Sequence, residues 1–157
     1  MSGPESTPGQ AGPALEIDGT FNVRDIGGYA TAGGARVSAG RLYRSASLDG
    51  LSEQGVNDVR ELGLRTVFDL RSDTEIERHG RFPIDRIPVR WEHLTSTIAP
   101  PTSADPGSSR LLEHPDPMAP MYVQIMKTSG PEFARGLRIL ANPANHPAIV
   151  HCTSGKD

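Results

Sequence analysis

Short apolar runs along the chain alternate with segments of helical period, which predicts strands separated by helices. RTVFDL is nearly continuous in apolar residues, as is typical of a strand covered on both faces in a parallel sheet. AIVH, near the end of the chain, predicts another brief apolar strand. LEIDGTFNVRDIGGY, GGARVSAGRLYRSAS and PVRWEHL predict further short strands with turn residues between them. We expect RTVFDL to be a central strand of the sheet.

The segment SEQGVNDVREL predicts the first helix. Val56, Val59 and Leu62 recur at helical spacing, so one face of the helix should be buried. Ser52 is a suitable N-cap, and Gly63 can end the helix as a left-handed cap. We therefore expect this helix to pack against the sheet.

Three later segments also predict helices. Ser72 and Glu75 form an S-x-x-E capping box that should open a short helix over SDTEIER. MYVQIMK and PEFARGLRILAN follow, the second with Pro131 at its first position. Strands that alternate with helices predict an α/β fold with a largely parallel central sheet flanked by helices.

The length of 157 residues corresponds to about one domain. Residues 1–14 are rich in Ser, Gly and Pro and predict a disordered tail, which leaves residues 15–157 for the domain. Residues 98–120 carry many turn formers and no sustained period, so we expect a long mobile loop there. Two interpretations of that loop, a functional lid and a disordered insert, are equally compatible with the sequence.

The composition excludes several classes of function. The net charge is −3 and the basic residues are scattered, so we expect no nucleic-acid partner. No segment approaches the roughly 18 apolar residues that cross a bilayer, which predicts no integral membrane association. The single cysteine permits no intrachain disulfide, and no zinc-type spacing surrounds it, so no metal is expected. A cytoplasmic location fits best, with secretion without a signal peptide as the open alternative.

The segment HCTSGKD carries the candidate chemistry. Cys152 follows a predicted strand, and ligands of doubly wound α/β domains bind outside the carboxyl ends of the strands. Ser154 and Gly155 are small enough for backbone amides of this loop to surround an anion. His151 and Lys156 add polarity and charge that favour a reactive thiolate.

Cys152 also admits other interpretations. A cysteine at a strand end is often only a small buried hydrophobe. A Walker-type nucleotide loop would need Gly in place of Val150 and Ser or Thr in place of Asp157, so that motif fails twice. A cysteine protease would need a signature around the cysteine that this sequence lacks.

HCTSGKD resembles the first part of the HCxxGKDRTG loop of the tyrosine phosphatase superfamily, in the bacterial branch that contains mycobacterial tyrosine phosphatases. FNVRDIGGY, GRLYRSASLDGLSEQGV and LGLRTVFDLRSDTEIERHG match the same branch in order and spacing. The resemblance covers most of residues 20–83 and residues 146–157. It implies a phosphotyrosine-phosphatase-like fold that needs no cofactor.

The resemblance also implies roles for the residues of this loop. Cys152 would attack phosphorus to form a phosphocysteine, while backbone amides from Thr153 to Asp157 hold the non-bridging oxygens. His151 would support the thiolate, Lys156 would add positive charge, and Asp157 would protonate the leaving oxygen. The open alternatives are a histidine packed in the core, a solvated lysine and a carboxylate that caps the next helix.

Two further groups of residues are expected to support the site. Asn22, Arg24 and Asp25 match an N-terminal signature of the branch that would organise the loop, with an Arg24–Asp25 pair as the alternative. The second group lies at the end of the strand RTVFDL and should be near the same rim of the sheet. It comprises Asp69, Arg71 as an ion-pair anchor, and Asp73 as the second candidate for the general acid.

The family loop carries an arginine directly after the position of Asp157, where this chain ends. We therefore expect a C-terminally incomplete domain that is inactive in itself. Its parent is expected to be a cysteine-dependent phosphatase that hydrolyses phosphate monoesters. The expected partners are phosphorylated proteins, with phosphotyrosine first and phosphoserine or phosphothreonine also open, or phosphoinositides. A non-catalytic phosphate-binding remnant and a sulfurtransferase are the alternative functions.

Overall fold

A six-stranded sheet forms the centre of residues 14–95 and 118–156, which are the residues that the computed structural model describes. In chain order the strands are β1 (Ala14–Leu15), β2 (Val23–Asp25), β3 (Leu42–Ser45), β4 (Thr66–Asp69), β5 (Arg90–His93) and β6 (Ala148–His151). Their order across the sheet is β1-β2-β3-β6-β4-β5. The strands β3, β6, β4 and β5 are parallel, whereas β1 and β2 add an antiparallel edge. The predicted largely parallel sheet is confirmed.

The parallel register brings the ends of three strands together. Ser45 of β3 and Asp69 of β4 both lie beside His151, the last residue of β6. All four residues of β4 are buried, as expected for the central strand predicted from RTVFDL. The segments that follow β3, β4 and β6 therefore leave the sheet at one edge.

Four helices accompany the sheet within the described residues. They are α1 (Glu53–Glu61), α2 (Asp73–His79), α3 (Met118–Thr128) and α4 (Gly130–Leu140), and a short 3-10 turn (Pro143–Asn145) follows α4. The Ser52 hydroxyl caps α1 by accepting from the backbone N–H of Gly55, and Gly63 beyond its end has a φ of 63°. At α2 the predicted capping box of Ser72 and Glu75 is present. The helix α4 begins at Gly130, which places Pro131 at its second position, where proline is tolerated because the first helical turn needs no backbone N–H.

The core lies on the two faces of the sheet. On one face, Val56 and Val59 of α1 belong to a buried cluster that includes Val67 and Ile149. On the other face, α4 approaches the sheet at Gly136, where an added Cβ would lie 2.6 Å from Leu94 Cδ1. Glycine at this position therefore permits the close packing of α4.

Three sequence predictions fall wholly or partly outside the described residues. Of the predicted tail 1–14, only Ala14 is described, as the first residue of β1. Of the predicted loop 98–120, only residues 118–120 are described, and they begin α3. Asp157 also lies outside the described residues. Within residues 14–95 and 118–156, no helix is long and apolar enough to span a membrane.

Candidate active site

Residues 152–156, the cysteine loop, leave β6 at the edge where the parallel strands end. Gly155 turns the loop with a φ of 67°, and its backbone N lies 3.3 Å from Cys152 Sγ. A Cβ at Gly155 would lie 2.4 Å from the backbone N of Ala46 and 2.5 Å from the carbonyl carbon of Ser45. Only glycine combines this φ with so close an approach to the end of β3.

A buried arginine contacts the cysteine sulfur. Arg44 lies on β3 opposite Val150 of β6, and its side chain reaches the end of β6. Its Nη2 lies 2.7 Å from Cys152 Sγ, and Nη1 donates to the carbonyl oxygens of Ser45 at 2.6 Å and Val150 at 3.3 Å. Arg44 is only 6% exposed. The guanidinium is thus held at the base of the cysteine loop.

Arg44 is not among the site residues predicted from sequence, although it lies within the matching segment GRLYRSASLDG. An arginine within a short strand is ordinarily assigned to the solvent face. Burial is what distinguishes Arg44, because Tyr43, Arg44 and Ser45 are all buried at the end of a parallel strand. A buried arginine there requires polar partners at the strand ends.

Asn22 and Arg24 contact the cysteine loop from the side of β2. Asn22 Nδ2 donates to the carbonyl oxygen of Ser154 at 2.8 Å, and Arg24 Nη1 donates to that of Gly155 at 2.7 Å. Arg24 Nη1 also donates to the carbonyl oxygen of Asn22 at 3.1 Å. Asn22 itself has a φ of 55°, in the left-handed region. The two side chains thus hold two successive loop carbonyls.

Asp25 lies away from the cysteine loop. Its carboxylate accepts hydrogen bonds from the backbone N–H groups of Gly27 at 2.7 Å and Gly40 at 2.5 Å. It therefore fixes the turn after β2 and the approach to β3. The alternative of an Arg24–Asp25 pair is replaced by these separate contacts.

Asp69 and Arg71 form a buried ion pair beneath the rim. Arg71 Nε and Nη2 donate to the two Asp69 oxygens at 2.9 and 2.7 Å. Its remaining donors go to Ser47 Oγ and Asp49 Oδ1, both at 2.9 Å, and to the carbonyl oxygen of Gly80 at 3.0 Å. The five donors of the guanidinium are thus all engaged within the protein.

His151 is fully buried at the end of β6. Its Nε2 lies 3.5 Å from Asp69 Oδ2. Burial lowers the pKa of His151 from 6.5 to about 4 and outweighs the opposing effect of the Asp69 carboxylate. The ring is therefore neutral at pH 7, and its placement is the packed core histidine that the sequence left open.

Glu75 connects the start of α2 to the cysteine loop. One carboxylate oxygen accepts from the backbone N–H and hydroxyl of Ser72, and the other accepts from the hydroxyl of Thr153. Burial raises the pKa of Glu75, but these hydrogen bonds outweigh burial and lower it below its usual value. The capping box was predicted from sequence, whereas the contact with Thr153 was not.

The remaining candidate residues are exposed. Asp73, the first residue of α2, has a side chain that is 80% exposed and lies 3.7 Å from His93 Nδ1. Lys156 is exposed at the end of the described loop. Among the described residues, no cluster of His, Cys, Asp or Glu has the geometry of a metal site.

A cleft of about 610 Å³ opens beside Cys152. One side is formed by Thr153 and Ser154 of the cysteine loop and by the start of α2. Met121, Tyr122 and Ile125 of α3 also line the cleft. The lining thus combines Cys152 and polar groups of the loop and of α2 with larger, mainly apolar side chains of α3.

The fold and the site define an α/β protein with a cysteine in a tight glycine-containing loop at the end of a central parallel strand. The sequence model described as the tyrosine phosphatase family matches residues 15–157, and the chain belongs to this family. The resemblance noted from the sequence is confirmed.

Two curated relatives share extended similarity with the chain. It is 29% identical over 165 aligned positions to the triple specificity protein phosphatase PtpB of Mycobacterium tuberculosis, covering 90% of this chain and 58% of PtpB. It is 46% identical over 61 positions to a protein of Cupriavidus necator named as a putative tyrosine-protein phosphatase, covering 39% of this chain and 22% of the relative. The chain thus spans little more than half the length of PtpB and less of the second relative.

Two solved structures also resemble the chain. One is TpbA of P. aeruginosa, with 20% identity and a TM-score of 0.38, covering 78% of this chain and 55% of TpbA. The other is a cysteine-to-serine variant of TpbA in complex with phosphotyrosine, with 19% identity and a TM-score of 0.41, covering 96% of this chain and 64% of that one. The family assignment rests on the family match alone.

Proposed function

We propose that this protein is a cysteine-dependent phosphatase that hydrolyses phosphate monoesters through a phosphocysteine intermediate. The observation that carries this proposal is the placement of Cys152 Sγ beside the cleft, contacted by the Arg44 guanidinium and the Gly155 amide. Two donors directed at one sulfur suit a thiolate nucleophile. PtpB, which resembles 90% of the chain, is named a protein phosphatase.

In the first step the Cys152 thiolate attacks phosphorus, so an S–P bond forms as the ester P–O bond breaks. The leaving oxygen keeps the electron pair of that bond and takes a proton from a general acid. We assign the acid to Asp157, within the loop that would hold the phosphoryl group. Asp73 is the alternative, because it lines the same cleft.

In the second step a water oxygen attacks phosphorus, and the S–P bond breaks with its electron pair returning to sulfur. The water loses a proton to a base, for which the conjugate base of the same acid is suited. Inorganic phosphate leaves and the thiolate is regenerated. The amides of the cysteine loop would hold the non-bridging oxygens throughout, as oriented N–H groups do in anion sites.

The proposed substrate is phosphotyrosine in a protein. Met121, Tyr122 and Ile125 line the same cleft as Cys152, and the ring of a phosphotyrosine would pack against them. The exposed Lys156 of the loop suits a more highly charged phosphoinositide, and phosphoserine or phosphothreonine would use less of the α3 surface. Phosphotyrosine, phosphoserine or phosphothreonine, and phosphoinositide substrates are therefore to be assayed side by side.

The proposed location is the cytoplasm. The reaction requires Cys152 as a free thiolate, and reducing compartments maintain free thiols. Cys152 is free in the structure.

The test compares the 157-residue chain with the chain extended through the arginine and the helix that follow this loop in the family. The extended chain should release phosphate from 4-nitrophenyl phosphate, whereas the chain ending at Asp157 should stay at background. Loss of one preorganised donor alone typically lowers a rate by ~10²–10³-fold.

In the extended chain, Cys152→Ser should abolish turnover and retain binding of phosphate or vanadate, because the backbone donors remain. Retained binding also shows that the variant is folded. A serine variant with a near-normal rate would remove Cys152 from the mechanism. Turnover of thiosulfate instead of phosphate esters would indicate a sulfurtransferase.

A further inference from the structure

We propose that Arg44 is a catalytic residue that holds Cys152 as a thiolate before substrate binds, an inference that rests on the proposed phosphatase function. The guanidinium touches the sulfur directly, with Nη2 at 2.7 Å from Sγ. A cationic donor in direct contact with a sulfur favours the anionic form of that sulfur. The cation belongs to β3, a different strand from the one that carries the nucleophile.

The position of the guanidinium is fixed before any ligand arrives. Nη1 donates to the carbonyl oxygens of Ser45 and Val150, which lie on adjacent parallel strands. With 6% of the residue exposed, water screens its charge only weakly. With Nη1 anchored in this way, Nη2 is directed at Sγ, which is the arrangement expected of a preorganised electrostatic group.

The other charged groups around the loop have different partners. Arg24 donates to the Gly155 carbonyl oxygen, Arg71 is engaged by Asp69 and Asp49, and Glu75 accepts from Thr153. His151 is neutral at pH 7 because burial lowers its pKa to about 4. Lys156 is exposed to solvent. Within the described part of the chain, Arg44 is thus the buried cation in contact with the sulfur.

Arg44 therefore has a role separate from that of the arginine that follows the cysteine loop in the family. The loop arginine would bind the phosphoryl group. Arg44 binds the nucleophile, from its position near the end of β3. The two charges act on different atoms of the reaction.

The test measures thiolate formation without any phosphate ester, which separates it from the test of phosphatase function. Cys152 is the single cysteine of the chain, so every thiol signal reports on it. The rate of alkylation by iodoacetamide is measured from pH 4 to pH 10 in the 157-residue chain. In Arg44→Met the midpoint of this profile should rise by about one to two pH units, the usual worth of a hydrogen bond to a charged group.

Three further variants sharpen the result. Arg44→Lys keeps a charge and should shift the midpoint less than Arg44→Met. Arg41→Met removes an exposed arginine just before β3 and should leave the midpoint unchanged. Lys156→Met tests the exposed lysine of the loop. Each variant is first checked for a cooperative thermal transition.

An unchanged midpoint in a folded Arg44→Met would overturn the proposal, as would a larger shift in Lys156→Met. Should Arg44→Met fail to fold, the unmutated chain decides. Its native midpoint must lie at least one pH unit below its midpoint in concentrated urea, and equal midpoints would overturn the proposal. If the extended chain hydrolyses phosphate esters but the alkylation midpoint is unchanged in Arg44→Met, the proposed phosphatase function stands and this inference is refuted.

Discussion

The side-chain amide of Asn22 donates to the carbonyl oxygen of Ser154 at 2.8 Å. In a trans peptide the N–H of the next residue points away from that carbonyl, so the same contact directs the Gly155 N–H towards Cys152 Sγ, 3.3 Å away. Arg24 acts in the same way one peptide later, through the Gly155 carbonyl oxygen. The amides of the cysteine loop are thus oriented from behind by side chains that precede it by about 130 residues.

We predict that Asn22→Asp weakens the site more than Asn22→Gly in the chain extended through the loop arginine. Glycine removes the donor but adopts the left-handed φ of 55° readily, so kcat/KM for an aryl phosphate should fall about fivefold, the worth of one hydrogen bond. Aspartate places an anionic acceptor against the Ser154 carbonyl oxygen, so the fall should reach about tenfold to a hundredfold. Asn57→Asp, on the exposed face of α1, adds the same charge and should have no effect. Equal losses in the two Asn22 variants would argue against orientation of the loop by Asn22.

A second prediction concerns the stability contributed by Gly155. In Gly155→Ala the added Cβ meets the backbone N of Ala46 at 2.4 Å, in addition to the cost of a positive φ. We expect the free energy of unfolding to fall by about 3 kcal/mol or more, since a left-handed φ alone costs about 1–2 kcal/mol. Gly28→Ala is the matched control, because Gly28 has a φ of 88° and open space around its Cβ position. Urea denaturation of both variants should show the larger loss at Gly155, and a comparable loss at the two glycines would contradict the crowding of the loop against β3.

The pH dependence of stability should reveal the titration of His151. The pKa of His151 is lowered by burial from 6.5 to about 4 in the folded chain, so between these values the unfolded chain binds a proton that the folded chain does not. Stability is therefore fully present above pH 6.5 and is lost as the pH falls towards 4. The slope should approach ~1.4 kcal/mol per pH unit. Urea denaturation between pH 7 and 5 measures this slope. Glu75 and Glu92, the carboxylates with lowered pKa, change the stability only below that range.

His151→Gln is the comparison for this titration. The glutamine has no proton to gain, so its stability should be lower overall and nearly independent of pH from 7 to 5. A slope that survives in His151→Gln would assign the titration to another group.

The final prediction separates the two candidate acids. A nitrophenolate leaves without a proton, whereas the oxygen of phosphotyrosine needs one. In the extended chain, Asp157→Asn should therefore lower kcat little for nitrophenyl phosphate and by roughly 10²-fold for a phosphotyrosine peptide. Asp73→Asn, at a side chain that is 80% exposed, should affect both substrates alike. The reverse pattern would move the acid to the start of α2.

The local features of the fold were predictable because they depend on neighbours in sequence. The caps at Ser52 and Ser72, the helical end at Gly63 and the buried strand RTVFDL are each specified within a few residues. The position of Cys152 at the end of a parallel strand also followed from the order of the predicted elements. Each of these predictions is confirmed by the structure.

The contacts across the site were not predictable in the same way. Arg44 reaches Cys152 only because β3 and β6 are adjacent in the sheet, and the sequence does not state which strands pair. Glu75 similarly contacts Thr153 across 78 positions of sequence. The charge of His151 depends on how deeply β6 is buried, which a strand-end position leaves undetermined.

The strand β6 comes after the other five strands in the chain and lies between β3 and β4 in the sheet. During synthesis, β3 and β4 therefore leave the ribosome with the edges that will receive β6 still unpaired. Unpaired edges of apolar strands are the surfaces through which nascent chains associate wrongly. The insertion of Ala148–His151 closes both edges at once and delivers Cys152 to Arg44 in the same event. The placement of Cys152 beside Arg44 is thus coupled to completion of the sheet.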